Sequence, residues 1–304
     1  MTPQFPNFQK IQIADKPFFD SYLKSFPPYS DFNFVSLWSY NDGDNRFCML
    51  NENLVIKLSD YMTNKPLYTF LGKKRVLNTL NTLIDFVSKM GVEPKLKLLP
   101  EFNINNSINS LQKHFLISED TNSFDYILLI DNMVDLNGPN YKMHRNMIRK
   151  FSKQVKKFDF IELDLKEPFV KKQILNLSYY WAQRKGKTIE EAETELTAIK
   201  NLLNDFINFN LSAYGLYIDN ELAAFFIMEI VHKHNRYAIG HFRKANTTYP
   251  GIFQFMDHKV AQALKKNNCI YFNYEQDLGI ESLRKAKLSW HPAFFLKKYT
   301  VSPK

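Results

Sequence analysis

The sequence predicts an α/β fold, in the broad sense that includes α+β, divided into two domains. The chain has 304 residues, of which 45% are hydrophobic and 15% aromatic, enough to form more than one core. Along the chain, the spacing of apolar residues changes between the 3.6-residue repeat of amphipathic helices and the alternation of strands. Turn-forming residues gather near the middle of the chain, at 131–140. These three observations indicate two mixed domains in series.

The first half combines short strands with one well-defined helix. Apolar residues recur at helical spacing from Val76 to Met90, and Gly91 supplies a residue at which helices commonly end. Strand-like segments and a second short helix surround it, at 53–58, 67–71, 95–99, 108–115 (helix) and 124–130. Residues 1–131 therefore form an α/β unit, and we assign it a scaffolding role because none of its patterns indicates catalysis.

The segment DNMVDLNGPN at 131–140 marks the predicted domain boundary. It is rich in Asn, Asp, Gly and Pro, which favour turns and connections. We assign 1–131 to the first domain, 132–140 to a linker and 141–304 to the second domain. The sequence has no short tandem repeat, which excludes a solenoid.

A strongly basic amphipathic helix is predicted at 141–158. One side carries the apolar residues Met147, Ile148, Phe151, Val155 and Phe158. The other side carries cations without an acidic residue between them: Lys142, Arg145, Arg149, Lys153, Lys156 and Lys157. Such a face can bind phosphates of nucleic acid or an anionic lipid surface, although a solvated helix surface is the alternative.

The rest of the second half has a regular order of elements. Two helices at 168–183 and 189–209 precede three strands at 211–218, 222–231 and 236–242, whose short connections indicate an antiparallel meander. A helix after Gly251 follows, then a strand at 269–274, a short helix at 280–288 and a strand at 294–301. This order matches the core of the acetyltransferase superfamily.

Composition narrows the class of protein and its partners. The net charge of +9 predicts affinity for phosphates, whether on nucleic acid, lipid or a nucleotide cofactor. No stretch approaches the roughly 18 to 20 apolar residues that a membrane helix needs, and the N-terminus lacks the pattern of a secretory signal. Cys48 and Cys269 lack metal-ligand spacing, and His232 and His234 have no acidic or cysteine partner nearby, so we expect no metal. We expect a cytoplasmic location.

Several blocks of sequence resemble one family. They are PPYSDFNFVSLWSY at 27–40, SFDYILLI at 123–130, GPNYKMHRNMIRKF at 138–151 and NYEQDLGIESLRKAKLSWHPAFFLKKYTV at 273–301. Together they resemble the soluble proteins grouped with the C-terminal domain of phosphatidylglycerol lysyltransferases. The resemblance covers most of the chain, in the expected order.

The resemblance implies two tandem acetyltransferase-like (GNAT-like) domains, each a mixed, mostly antiparallel sheet flanked by helices. In such relatives an aminoacyl-tRNA donates its amino acid to a lipid or peptide acceptor. We therefore expect an aminoacyl- or acyltransferase with aminoacyl-tRNA as the donor, a lipid, a peptide or a small amine or hydroxyl as the acceptor, and no tightly bound cofactor. tRNA is the expected partner, with peripheral contact to the inner face of the membrane as a further expectation.

Candidate catalytic residues cluster near the end of the chain. Acyl transfer needs a base near the acceptor and a cation or hydrogen-bond donor for the oxyanion. Glu275 and Asp277 follow the penultimate strand, where the resemblance places the cleft, and Arg284 and Lys287 share a helix face. His241, on a strand edge facing the same cleft, is a further candidate. Ordinary salt bridges within this cluster are the structural alternative.

Donor-binding candidates are the helix cations Arg145, Arg149 and Lys153, with Lys244 and Gly251. In acetyl-CoA enzymes, a glycine-rich loop at the position of ANTTYPGIFQ (245–254) cradles the pyrophosphate through backbone N–H groups. Here Pro250 has no N–H to donate. A CoA-dependent N-acetyltransferase, with acyl-CoA as the donor, is therefore an alternative rather than the leading prediction. A second alternative is a non-catalytic module that binds RNA or anionic membrane.

Overall fold

The structure is a computed structural model that describes residues 2–60, 62–63, 65–186, 188–231 and 236–304, without the side chains of 189–191. The chain divides into two compact units. The first unit comprises Met1–Asp125, Gln276–Arg284 and Phe295–Lys304, and the second comprises Tyr126–Glu275 and Lys285–Phe294.

Two sheets form the framework of the first unit. One is antiparallel, in the order β1 (Gln9–Lys10), β2 (Arg46–Leu50), β3 (Asn53–Ser59) and β4 (Pro66–Leu71). The other consists of β5 (Leu96–Pro100), β6 (Phe115–Glu119) and β14 (Lys298–Pro303), with β14 between the other two. The helices are α1 (Lys16–Leu23), α2 (Phe34–Ser39), α3 (Val76–Lys89), α4 (Glu101–Ile104) and α5 (Ile108–Leu111).

The helix α3 supplies much of the core of this unit. Its residues Leu80, Leu83 and Val87 are buried at helical spacing and pack with strand residues, including Val301 of β14. Gly91, with φ +71°, follows the helix in the left-handed conformation that the sequence predicts at its end.

The second unit is built on a seven-stranded sheet that the described residues form. Its strand order is β13 (Phe294–Leu296), β7 (Asp125–Leu129), β12 (Tyr271–Asn273), β11 (Tyr237–Ala245), β10 (Glu221–Val231), β9 (Leu211–Ile218) and β8 (Asp159–Glu162). The strands β9, β10 and β11 form the predicted antiparallel meander, and β12 lies parallel to β11. The residues between β10 and β11 at 232–235, including His232 and His234, lie outside the described residues.

Helices flank this sheet. They are α6 (Ile130–Asp135), α7 (Lys142–Gln154), α8 (Pro168–Arg184), α9 (Ile189–Asp205) and α10 (Ile252–Lys266); a further helix, α11 (Glu281–Leu288), contains the division between the two units after Arg284. The helix α10 is central because it packs against α6, α7 and the strands β10 and β11. Its residues Phe255, Met256, Val260 and Leu264 are buried, as the apolar spacing predicts.

The prediction of a mixed α/β fold is confirmed, but several local predictions differ from the structure, among them the helix at 108–115, which ends at Leu111 and is followed by β6 from Phe115. The segment 131–140 begins within helix α6, because Ile130 and Met133 are buried there. The basic helix ends at Gln154 rather than Phe158. The last predicted strand is two strands, of which β14 pairs with β5 and β6 of the first unit.

The domain limits 1–131 and 141–304 stay a prediction. The first unit also includes the segments Gln276–Arg284 and Phe295–Lys304, so a single cut along the sequence does not describe the two units. Among the described helices, none combines the length and apolar character needed to cross a membrane.

Candidate active site

An opening in the sheet of the second unit defines the candidate site. The strands β11 and β12 pair in parallel over three residue pairs, from Tyr237↔Tyr271 to Ile239↔Asn273. Beyond these pairs β11 continues to Ala245, whereas β12 ends. Where parallel strands separate, side chains and backbone groups of both strands face the gap, which is a common place for ligands in α/β sheets.

His241 lies just past this divergence, between two glutamates. Its side chain is only 2% exposed, its Nδ1 lies 3.6 Å from Glu275 Oε1, and its Nε2 lies 3.9 Å from Glu229 Oε2. Burial alone lowers the pKa of His241, but the two carboxylates outweigh it and raise that pKa to about 9. A pKa in this range corresponds to a protonated, cationic imidazole at neutral pH.

Glu275 is the part of this cluster that reaches solvent. Its side chain is 26% exposed. Its backbone has φ +55°, and its N–H donates to Asn273 Oδ1 at 2.8 Å, while Tyr126 N donates to its carbonyl at 3.3 Å. A glutamate seldom adopts this left-handed conformation, and these two contacts hold the backbone of Glu275 in it.

A second polar cluster lies beside the first. Arg243 follows His241 by two residues on β11, beyond a β-bulge at His241 that interrupts the alternation of faces, and it pairs with Phe226 of β10. Its Nη1 donates to Asp257 Oδ2 and to Tyr274 Oη, and the Tyr274 hydroxyl donates to Asp257 Oδ2 at 2.8 Å. Asp257 is a buried residue of α10, and burial raises the pKa of Tyr274 well above its usual range.

Lys287 joins these clusters through the backbone. Its Nζ donates to the carbonyl of Tyr274 at 2.5 Å and lies 5.4 Å from the centre of the Tyr274 ring. Tyr274 immediately precedes Glu275, so Lys287 binds the backbone one residue before the carboxylate that reaches solvent. The structure thus brings together three of the predicted catalytic residues: His241, Glu275 and Lys287.

Asp277 and Arg284 have a different environment, within the first unit. Arg284 Nε and Nη2 donate to the two oxygens of buried Asp277 at 2.8 and 2.9 Å, and Nη2 also donates to Asn122 Oδ1 at 2.7 Å. Gly279 N donates to Asp277 as well, at 2.7 Å. These contacts form a salt bridge of the kind named above as the structural alternative, and the catalytic roles predicted for Asp277 and Arg284 stay predictions.

Lys244 and Gly251, predicted to bind the donor, make structural contacts. Lys244 is buried, with Nζ 2.6 Å from Glu195 Oε1 and 3.9 Å from the centre of the Trp181 ring. Gly251 has φ +88°, and a Cβ at this position would lie 2.1 Å from the carbonyl oxygen of Met147 on α7. A glycine is required there because α7 passes close to the start of α10.

The loop before α10 uses several of its own N–H groups. Asn246 Oδ1 accepts from Thr248 N at 3.1 Å, Tyr249 N donates to the Asn246 carbonyl at 3.3 Å, and Ile252 N donates to the Tyr249 carbonyl at 3.2 Å. Pro250 has no N–H. The loop therefore offers fewer donors to a pyrophosphate than the glycine-rich loop of a CoA enzyme.

The cations of α7 differ in their exposure to solvent and in their hydrogen bonds. Arg149 and Lys153 are exposed. Arg145 is half-buried, and its Nη1 donates to the carbonyls of Leu136 and Gly138, the latter at 2.7 Å. On the opposite side of α7, the buried His144 donates from Nε2 to the Ser289 carbonyl at 2.9 Å. The exposed cationic face is therefore carried by a helix anchored on its other side.

The first unit contains a buried charged cluster that sequence analysis did not predict. Lys298 Nζ forms ion pairs with Asp31 and, at 2.8 Å, with Asp125; all three side chains are fully buried. Ser30 Oγ donates to Asp125 Oδ1 at 2.5 Å. Burial raises the pKa of Asp31 to about 6, despite the opposing effect of Lys298. With no exposed member, this cluster is structural.

Sequence analysis missed Arg243, Asp257 and Tyr274. One signal was present: Asp257 is an acid on the apolar face of α10, and a buried carboxylate needs a charged or hydrogen-bonding partner. The partner, Arg243, lies on strand β11 and cannot be found from local spacing. Over the part of the chain that the structure describes, no group of His, Cys, Asp and Glu side chains has the arrangement of a metal site.

The family model of "Phosphatidylglycerol lysyltransferase, C-terminal" matches residues 78–302. No curated protein matches the chain by sequence.

Solved structures extend the comparison. A conserved protein of unknown function from Bacteroides thetaiotaomicron is 25% identical, with a TM-score of 0.84 and full coverage of both chains. The C-terminal domain (DUF2156) of a putative lysylphosphatidylglycerol synthetase from Agrobacterium fabrum is 11% identical, with a TM-score of 0.65 over 96% of this chain and 92% of that one. A tandem GNAT protein from the clavulanic acid biosynthesis pathway is 8% identical, with a TM-score of 0.52 over 98% of each chain. The predicted GNAT-like fold is confirmed.

Proposed function

The chain belongs to the phosphatidylglycerol lysyltransferase C-terminal family, and from this premise we propose that it transfers an amino acid from an aminoacyl-tRNA to an amine or hydroxyl acceptor. The family and the fold are those of acyltransferases. The observation that carries the proposal is the pairing of Glu275 with protonated His241 at the point where β11 and β12 separate.

In the proposed reaction, Glu275 is the general base. The acceptor's amine or hydroxyl attacks the ester carbonyl carbon of the aminoacyl group, so a C–N or C–O bond forms. The bond from that carbon to the ribose oxygen breaks. Glu275 takes the proton of the acceptor, and a proton passes to the ribose oxygen as it leaves, so the tRNA leaves with a free hydroxyl.

The cations around Glu275 support the same step. Lys287, at the carbonyl of Tyr274, is positioned to stabilise negative charge on the ester oxygen in the transition state. His241 is too buried to contact substrate and acts as a positioning residue that holds the carboxylate of Glu275. Asp277 and Arg284, engaged with each other, have a structural role in this proposal.

The positive charge of α7 is the basis for proposing an aminoacyl-tRNA as the donor. Arg149 and Lys153 are exposed on a helix face without acidic residues, which suits the phosphates of an RNA acceptor stem. Backbone N–H groups of the loop 246–252 are used in hydrogen bonds within the loop, and Pro250 has no N–H. Both observations weigh against CoA as the acyl donor. No tightly bound cofactor is required. The acceptor is a lipid, a peptide or a small molecule, and a lipid acceptor would bring the protein to the inner face of the membrane.

The test is a donor-binding experiment at two salt concentrations. Filter binding compares charged tRNA, uncharged tRNA and acetyl-CoA, using wild-type protein and the double variant Arg149→Ala, Lys153→Ala. We expect preference for charged tRNA and a loss of about tenfold or more in affinity for the double variant at low salt. The matched control is Lys172→Ala, Lys200→Ala, which removes two exposed lysines from α8 and α9.

Each alternative gives a distinct result in this experiment. Binding and turnover of acetyl-CoA without preference for charged tRNA would replace the proposal with an N-acetyltransferase. Equal binding of charged and uncharged tRNA, with no transfer to any acceptor, would indicate an RNA-binding module instead.

A further inference from the structure

We infer that Arg243 binds an oxyanion, the phosphate or carboxylate group of a substrate, in the opening between β11 and β12. The identity of this substrate as the acyl acceptor rests on the proposed function. The binding of the anion itself does not, because it follows from the contacts of the arginine alone.

The hydrogen bonds of Arg243 leave one edge of its guanidinium unused. Both of its hydrogen bonds start from Nη1, one to Asp257 and one to Tyr274. Nε and Nη2 donate to none of the described residues. These two nitrogens form the fork that pairs with two oxygens of a carboxylate or phosphate.

The unused edge is accessible. The Arg243 side chain is 21% exposed, whereas Asp257, its partner, is 2% exposed. Some polar atoms in the described part of the chain are both fully buried and without a hydrogen-bond partner. Nε and Nη2 of Arg243 are not among these buried atoms, so each keeps some exposure to solvent. Solvent can therefore reach the fork.

The guanidinium is also held in place before any ligand arrives. Three aromatic rings surround its Cζ, with centres at 4.8 Å for Phe253, 4.9 Å for Tyr274 and 5.8 Å for Phe226. These rings and the bonds to Asp257 limit the rotamers of Arg243, so little conformational entropy is lost when an anion binds.

Geometry, rather than net charge, selects the ligand. The side chains of the two polar clusters carry three cations and three carboxylates: Arg243, His241, Lys287, Asp257, Glu229 and Glu275. Their charges balance, so a free anion is expected to bind weakly. An anion attached to a larger substrate gains affinity from the remainder of that molecule.

Nuclear magnetic resonance titration of the full chain tests this inference without any transfer assay. The reporters are the Nε–H resonance of Arg243 and the backbone amide of Tyr274. Inorganic phosphate and acetate are added in separate titrations, and sodium chloride holds the ionic strength constant. We expect saturable shifts with at least one of them, and none with chloride alone.

The variant Arg243→Lys tests whether anion binding needs the paired N–H donors of the guanidinium or only its positive charge. Lysine keeps a cation near Asp257 but lacks the two parallel donors, so we expect the amide response of Tyr274 to weaken at least tenfold in apparent affinity. The control Arg184→Lys alters an exposed arginine at the end of α8 and should leave the response unchanged.

The titrations distinguish the two sources of the oxyanion and can overturn the inference. A response to phosphate alone indicates a phosphate-bearing acceptor, and a response to acetate alone a carboxylate-bearing one. Absence of saturable shifts with both anions in the wild type would overturn the inference, as would an unchanged affinity in Arg243→Lys. Anion binding without any aminoacyl transfer would reject the proposed function and leave this inference standing.

Discussion

His241 Nδ1 lies 3.6 Å from Glu275 Oε1, with the imidazole buried in the sheet and the carboxylate partly in solvent. This relationship links the interior of the second unit to the surface where chemistry is proposed. It also makes the stability of the protein depend on pH, because the charge of His241 depends on its carboxylate neighbours.

We predict that stability decreases as pH rises from 6.5 to about 9. The carboxylates raise the pKa of His241 from 6.5 to about 9. The contribution is therefore fully present below pH 6.5 and is lost as pH rises through 9. The loss should be at most about 3 kcal/mol. Urea unfolding across this range tests it, and His241→Gln, which cannot titrate, should show a flatter profile. Equal slopes in both proteins would contradict the assignment.

The buried cluster of the first unit gives a prediction at lower pH. Burial raises the pKa of Asp31 from 3.8 to about 6, so the folded state retains a proton that the unfolded chain releases. This contribution favours folding below pH 4 and declines as pH rises to about 6. Asp31→Asn removes the titrating group and should flatten the urea-unfolding profile in this range. A profile of wild-type steepness would show that Asp31 does not titrate there.

The same cluster predicts a severe effect of Lys298→Ala. This change leaves Asp31 and Asp125 buried without their cation, which typically destabilises by about 3–5 kcal/mol. Lys297→Ala is the matched control, since Lys297 is 37% exposed and pairs with a partly exposed Glu119. Chemical unfolding of both variants at pH 7 measures the difference. A loss below about 1 kcal/mol for Lys298→Ala would contradict the structural role.

Gly251→Ala tests whether this glycine serves helix packing. The added Cβ would meet the Met147 carbonyl at 2.1 Å, in addition to the unfavourable positive φ. The control Gly138→Ala has φ +79° but no atom within 4 Å of the added Cβ, so it isolates the conformational effect. We expect Gly251→Ala to be the more destabilising by at least about 2 kcal/mol in urea unfolding. Equal losses would remove the packing explanation.

The sequence predicted the positions of helices and strands better than it predicted which strands pair with each other. The strand at 211–218 was predicted with the limits that the structure has for β9, because alternating burial leaves a local pattern. The strand β14 was also recognised as extended chain, but its neighbours β5 and β6 lie almost 200 residues earlier. Strand pairing of this kind depends on tertiary packing, which local spacing does not encode.

The roles predicted for the site residues stay predictions, whereas their placement can be described. Glu275, His241 and Lys287 were selected by residue type and position, and the structure brings them together. Asp277 and Arg284 are likewise an acid and a cation, but Asp277 is buried and the two residues form a salt bridge with each other. Burial decides between the two roles, and the sequence could not predict it at these positions. Burial has the same consequence for Lys244, because its ammonium group forms an ion pair with Glu195 inside the protein.

The most direct test of the central claim is single-turnover transfer from radiolabelled aminoacyl-tRNA, comparing wild type with Glu275→Gln. Gln keeps the shape of Glu275 but cannot accept a proton, so we predict a rate loss of roughly 10²- to 10⁴-fold with unchanged tRNA affinity. Glu281→Gln, an exposed carboxylate at the start of α11, is the control and should react at the wild-type rate. Transfer by Glu275→Gln at the wild-type rate, or no transfer by the wild type to lipid, peptide or small amine acceptors, would contradict the account.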